Sequence, residues 1–140
     1  MTIYLAGPWV CKPAVREARA KFEAAGIKVR ADWIDFHGDI ADDDPDREAK
    51  LQHEAYHDLE QIRGAEAFVV LSIEKSSGKE SEFMYAYLHR KPCIVVQNVS
   101  NNIFYHLAAV TRVNNVEEAI SALHHQGQTR NREDRSINAG

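Results

Sequence analysis

Two short, unbroken apolar runs, FVVL at 68–71 and CIVV at 93–96, constrain this chain more than any other feature. Each is rich in β-branched residues and bounded by polar or turn residues, as strands buried on both faces are. Between them Ser76, Ser77 and Gly78 supply a small-residue loop and a helix cap, while Phe83, Ala86, Tyr87 and Arg90 recur at helical spacing. Strand, helix and strand within Ala65–Val96 form a βαβ crossover, right-handed within a parallel sheet. Ligands of such sheets sit beyond the carboxyl ends of the strands. Glu82, which this reading places in the helix's first turn, is therefore the first candidate for chemistry.

A second unit precedes it. Thr2–Ala6 reads as a strand, broken by Gly7-Pro8, and Val15, Ala18, Ala20, Phe22 and Ala25 mark the apolar face of a helix over 13–25. Gly26 stops that helix, and Ile27–Ala31 alternates as a strand. Two βαβ units predict a three-layer α/β sandwich with a mostly parallel, flavodoxin- or Rossmann-like sheet flanked by helices. Gly7 suits a phosphate-cradling turn, but the further glycines of a dinucleotide fingerprint are missing, so no cofactor is expected.

Further along, a helix over 46–63 carries an apolar stripe of Leu51, Ala55, Leu59 and Ile62. A polar loop over 97–102, a turn or short helix over 103–109, a strand at 111–113 and an Asn115-capped helix follow. Residues 126–140 are polar without an apolar face and are expected to form a disordered tail outside a single domain of residues 1–125. No metal is expected. The acidic stretch at 38–45 lacks EF-hand spacing and reads as a mobile, solvated loop, and His53 and His57 lack the glutamate of a zincin motif. Cys11 and Cys93 form neither a close ligand pair nor a disulfide framework, and Cys11 has no neighbouring histidine to act as its base.

A chain of 140 residues with 44% hydrophobic and 27% charged residues suits one globular domain. A net charge of -4 argues against a nucleic-acid-binding face. With no apolar run near the ~20 residues that span a bilayer, and no signal-peptide pattern, the expectation is a cytoplasmic protein without membrane contact. Small molecules are the expected partners.

Four segments, IYLAGP, YHDLEQIRGAEAFVVL, SSGKESEFMYAYLHRKPCIVV and NNIFYHL, follow one another in an order that resembles the nucleoside 2-deoxyribosyltransferases and the related deoxynucleoside 5'-monophosphate N-glycosidases. The resemblance spans Thr2–Leu123. It implies that Glu82 is a nucleophile that displaces a nucleobase from the anomeric carbon and holds the sugar as an ester, which transferases pass to a second base and glycosidases to water. A position at a helix N-terminus would favour its ionised form. Glu80 is the fallback nucleophile. By the same resemblance Tyr4 orients the carboxylate, and Asp58 binds and protonates the leaving base. Asn102 reaches the sugar's 5' end in a neighbouring subunit, so the resemblance implies a homo-oligomer, dimer or higher, with shared active sites. Gly7, Trp33, Asp35, Ser76 and Gly78 complete the expected substrate-binding set, Trp33 with Asp35 and Phe36 forming a wall on which a base stacks. Ser76, six residues before the nucleophile, resembles the monophosphate glycosidases, whereas Asn102 is transferase-like, and Met84 stands where the family commonly has glycine. The expected partners are a nucleoside or nucleotide and a free nucleobase. Base transfer ranks first, monophosphate N-glycosidase second and a non-catalytic nucleotide sensor third. An NAD-cleaving domain would share the layout and differ by accepting a ribose 2'-hydroxyl.

Overall fold

The computed structural model describes residues 1–36, 40–99 and 101–138, and the side chain of Arg130 is not described. Positions 38 and 39 of the acidic stretch therefore lie outside the described residues. Five strands, β1 (Thr2–Ala6), β2 (Lys28–Arg30), β3 (Ala67–Leu71), β4 (Cys93–Val96) and β5 (Val110–Val113), form one sheet in the order β2-β1-β3-β4-β5. Every pairing is parallel. The order reverses between β1 and β3, the switch point of a flavodoxin-like sheet.

Helices α1 (Lys12–Ala24) and α4 (Val116–Asn138) pack together, as do α2 (Arg47–Gly64) and α3 (Ser77–Leu88). Because βαβ crossovers cover a parallel sheet with helices on both faces, the central strands are buried throughout. Each residue of β3 and β4 is buried. A file of rings runs beneath α3: Tyr4 stacks on Phe68 at 5.8 Å, and Phe83 meets the edge of Tyr105 at 4.7 Å. Among the described residues no helix is long and apolar enough to cross a membrane.

Three boundaries differ from those read in the sequence. α3 begins at Ser77, with extended Ser76 at its N-cap position, so Glu82 lies in the second turn rather than the first. Ser76 makes no side-chain capping bond there. The presumed core stripe of α2 is only partly core: Ile62 is buried, but Leu51 and Ala55 are exposed. An 18-residue helix is about 27 Å long, whereas a five-residue strand reaches only about 17 Å, so the first half of α2 overhangs the sheet. Finally, α4 continues over 126–138 in place of a disordered tail. Its described side chains beyond Gly127 are exposed, and helix formers such as Gln, Arg and Glu carry the helix on without a core face. Its start is anchored by a reciprocal cap: Asn115 Oδ1 accepts the Glu118 N–H at 2.8 Å, and Glu118 Oε2 accepts the Asn114 N–H at 2.8 Å.

Gly7 follows β1 at the switch point. A Cβ there would stand 2.8 Å from Val15 Cγ2 and 3.9 Å from the Trp33 ring. Val15 is wholly buried and β-branched, so it has no soft way to yield. Gly7→Ala is expected to cost about 1–3 kcal/mol, read as a lower urea midpoint with unchanged slope.

Candidate active site

Tyr4 sits inside β1 with no exposed surface, and its hydroxyl has no well-formed hydrogen bond to the protein. Glu82 comes down from α3 and Asp58 from α2, and Glu82 Oε2 and Asp58 Oδ1 are likewise buried without a protein partner. The sequence pattern explains the meeting. Tyr4 alternates with Ile3 and Leu5 and so faces the α2–α3 layer, where Phe68 and Phe83 also point.

Electrostatics tie the three groups together. Burial pushes the Glu82 carboxyl up to about 7; the Tyr4 hydroxyl, donating towards it, works in the opposite direction, and Asp58 adds to the rise. Asp58 is pushed up to about 6 by burial and then by Glu54, with His57 opposing. Burial first, and then the charges of Glu82 and Asp58, raise Tyr4. The expected helix-start effect on Glu82 is thus overturned, since the carboxyl lies beyond the first turn, where the dipole acts.

Asp58 also lines a cleft of about 400 Å³ that leads away from this cluster. One wall is aromatic: Trp9 stacks near Trp33 at 6.3 Å and near Phe36 at 6.2 Å. Trp33 is fixed by donating its indole N–H to the Leu5 carbonyl at 2.9 Å. Lys12 Nζ lies 3.5 Å over the Trp9 ring and donates to the Phe36 carbonyl at 2.6 Å. The opposite wall is the overhanging part of α2, with Arg47, Leu51, Glu54 and Asp58 at intervals of one turn. A clasp joins the walls: His57 Nε2 meets Asp32 Oδ2 at 2.9 Å, raising the histidine and lowering the aspartate.

The other candidate residues divide. Trp33 and Phe36 line the cleft, but Asp35 is turned to the opposite side, in a two-pronged pair with Arg19 at 2.8 and 3.0 Å. Ser76 and Asn102 border a separate hollow of about 290 Å³ with Lys75, Ser77 and Glu80. Asn102 caps a 3-10 turn, its Oδ1 accepting the Phe104 N–H at 2.9 Å, and its amide donates to Glu80. Glu80 is also bonded by wholly buried Lys79; burial works to raise its pKa, but these donors bring it below the usual value. Gly78 is exposed, and a Cβ there would meet only the Ser76 hydroxyl at 3.9 Å. Trp9, Arg47 and Glu54 escaped the reading of the sequence. The signal for Trp9 was its place directly after the Gly7-Pro8 break.

No protein-family model matches the chain, and no curated protein does. Solved structures do match in fold. A 2-deoxyribosyltransferase from Bacillus psychrosaccharolyticus superposes with a TM-score of 0.65 at 16% identity, over 86% of this chain and 90% of that one. The CMP N-glycosidase of Clostridium botulinum gives 0.59 at 16% identity, over 89% and 99%. A conserved protein from Enterococcus faecalis V583 gives 0.58 at 15%, over 90% and 98%. The three-layer α/β sandwich is shared with these proteins.

The raised Glu82 carboxyl makes stability depend on pH. Its stabilising contribution is complete below the ordinary value of 4.5 and is lost as pH rises through about 7. Glu82→Gln should therefore unfold at higher urea than the parent above pH 7, by on the order of 3 kcal/mol, with the difference closing below pH 4.5. A difference independent of pH would show that the carboxyl is not held neutral by burial.

Proposed function

We propose that this chain is an enzyme of the nucleoside 2-deoxyribosyltransferase family that cleaves the N-glycosidic bond of 2'-deoxynucleosides. One observation carries the reading: Tyr4, Asp58 and Glu82 come together, each with a buried polar atom that lacks a well-formed hydrogen bond, and Asp58 also lines the aromatic cleft. Buried polar groups are ordinarily paired, and unpaired ones at a cleft mark the place of a ligand. The shared fold with a 2-deoxyribosyltransferase and a CMP N-glycosidase supports the same reading.

In the proposed reaction the proton that burial holds on Glu82 first passes to Asp58, and the Glu82 carboxylate so formed attacks the anomeric carbon. A carbon–oxygen bond forms as the carbon–nitrogen bond breaks, and the electron pair leaves with the base. Asp58, protonated, delivers its proton to that nitrogen, so the base departs neutral. Tyr4 donates to the Glu82 oxygen, orienting it and stabilising the carboxylate that is regenerated when the ester is cleaved. A second base attacks the ester in transfer, and Asp58, now ionised, takes up the proton the acceptor loses. Water takes that place in the alternative reading, hydrolysis of a 5'-monophosphate, which the serines at the head of α3 favour. The aromatic wall opposite Asp58 favours transfer, since it offers a face on which an acceptor base can stack. Homo-oligomerisation belongs to the same proposal: Val99, Ile103 and Phe104 are exposed around Asn102, an apolar surface suited to a second copy.

Chromatography of reactions with deoxynucleosides or their 5'-monophosphates, with and without free adenine, tests this directly. New deoxynucleoside formed only with adenine marks transfer, and base released from monophosphates alone marks hydrolysis. Glu82→Ala should lower either rate at least roughly 1,000-fold, and Asp58→Asn by roughly 100-fold or more. Turnover retained in Glu82→Ala would sink the proposal.

A further inference from the structure

We propose that Glu54 is a specificity residue that reads the edge of the leaving base by accepting a hydrogen bond from it, so that the cleft selects bases carrying an exocyclic amino group over their oxo counterparts. The inference rests on the reading of the cleft as a nucleobase site. It starts from the stripe Arg47, Leu51, Glu54 and Asp58, the side of α2 that faces the aromatic wall. A flat ring lying against Trp9 and Trp33 must turn its edge towards α2.

Helical side chains lean towards the N-terminus, so Asp58 inclines towards Glu54, about 6 Å earlier along the axis. The two are close enough for the Glu54 charge to bear on the ionisation of Asp58. Of the described residues that line the cleft, Glu54 and Asp58 are the two carboxyls, one turn apart, and Arg47 stands nearer the start of α2. Asp58 is assigned to the ring nitrogen that leaves the sugar. The 4-position of a pyrimidine and the 6-position of a purine lie across the ring from that nitrogen, on the scale of the one-turn step back to Glu54, and a carboxylate offers lone pairs and no proton. An amino group satisfies it. An oxo group sets lone pairs against lone pairs. Arg47 does not reverse this preference, because it stands seven residues earlier, on the order of 10 Å further out, and is drawn to Asp42 at 3.6 Å.

Cytosine against uracil and adenine against hypoxanthine are pairs that differ in this group and in the neighbouring ring nitrogen, which carries a proton only in the oxo bases; 3-methyluracil and 1-methylhypoxanthine lack that proton and isolate the oxo group. Binding of the four free bases by calorimetry, and their release from the matching deoxynucleosides, should be measured for the parent, Glu54→Gln and Glu54→Ala. The parent should favour each amino-bearing base at least about 10-fold. Glu54→Gln, whose amide both donates and accepts, should bring each ratio to within about 3-fold and improve uracil and hypoxanthine outright. Glu54→Ala should weaken the amino bases without improving the oxo bases. Equal binding of each pair by the parent, or a preference that survives both substitutions, overturns the proposal. Preference in binding without any release would uphold the role of Glu54 and remove only the catalytic reading, whereas four bases that neither bind nor are released would overturn both.

Discussion

The Tyr4 hydroxyl, the Glu82 carboxyl and the Asp58 carboxyl meet beneath the end of β1, and burial is the largest influence on each of them. Taking a carboxylate out of water costs several kcal/mol unless something replaces the lost hydration. Here two carboxyls share the burden, and each makes the other harder to ionise. Around neutral pH such a pair prefers to carry one proton between them. A displacement at a glycosidic carbon needs that state: one carboxylate to attack and one acid to protonate the base. Of the two, Glu82 is held higher even with the Tyr4 hydroxyl donating towards it, so the free site keeps the shared proton on Glu82, and the proposed displacement starts from the form in which that proton has passed to Asp58.

The fold makes this arrangement affordable by mounting each group on a rigid element. Tyr4 is locked into a central strand by stacking on Phe68, and Glu82 shares α3 with buried Phe83 and Ala86. Asp58 lies just where α2 passes from core to cleft, with Ile62 buried one turn later and Leu51 exposed two turns earlier. The overhang of α2 is a consequence of length: a crossover helix longer than its strands must extend past the sheet's carboxyl edge. What it extends into is the space above the switch point, so one geometric mismatch produces both the wall of the cleft and the position of Asp58.

Much of this was legible in the sequence because its strongest signals are periodic. FVVL and CIVV admit few readings other than interior strands, and the parallel order follows from the helices between them. Tyr4, Asp58 and Glu82 were singled out through the ordered motifs they belong to, and periodicity alone would have left them as a core aromatic and two surface acids. The register of Glu82 in its helix was misplaced because Ser76, Ser77 and Gly78 read equally well as loop or first turn. The role of Leu51 was misread because an apolar stripe looks the same whether it faces a core or a cleft. Trp9 could not be assigned to the wall, since its position depends on Lys12 and Phe36 meeting across a turn that no local pattern encodes. Asp35 was placed on that wall by its proximity to Trp33, yet in a 3-10 turn neighbouring side chains diverge, and Arg19 holds it on the other side.

At 16% identity the proteins that share this fold fix the topology and leave the chemistry to the site. In the proposed reaction, the division between transfer and hydrolysis is a question of what occupies the cleft once the first base has gone. Stacking on aromatic side chains is worth about 1–3 kcal/mol per base, enough for a second base to hold the space against solvent when it is abundant. Trp9 is 42% exposed, so the cleft is not sealed. In the proposed hydrolysis, Asp58, which lines the cleft and would be ionised after giving up its proton, is the base that activates water. On that proposal a single carboxyl on α2 serves either outcome, and the partition rests on how tightly the aromatic wall holds the acceptor.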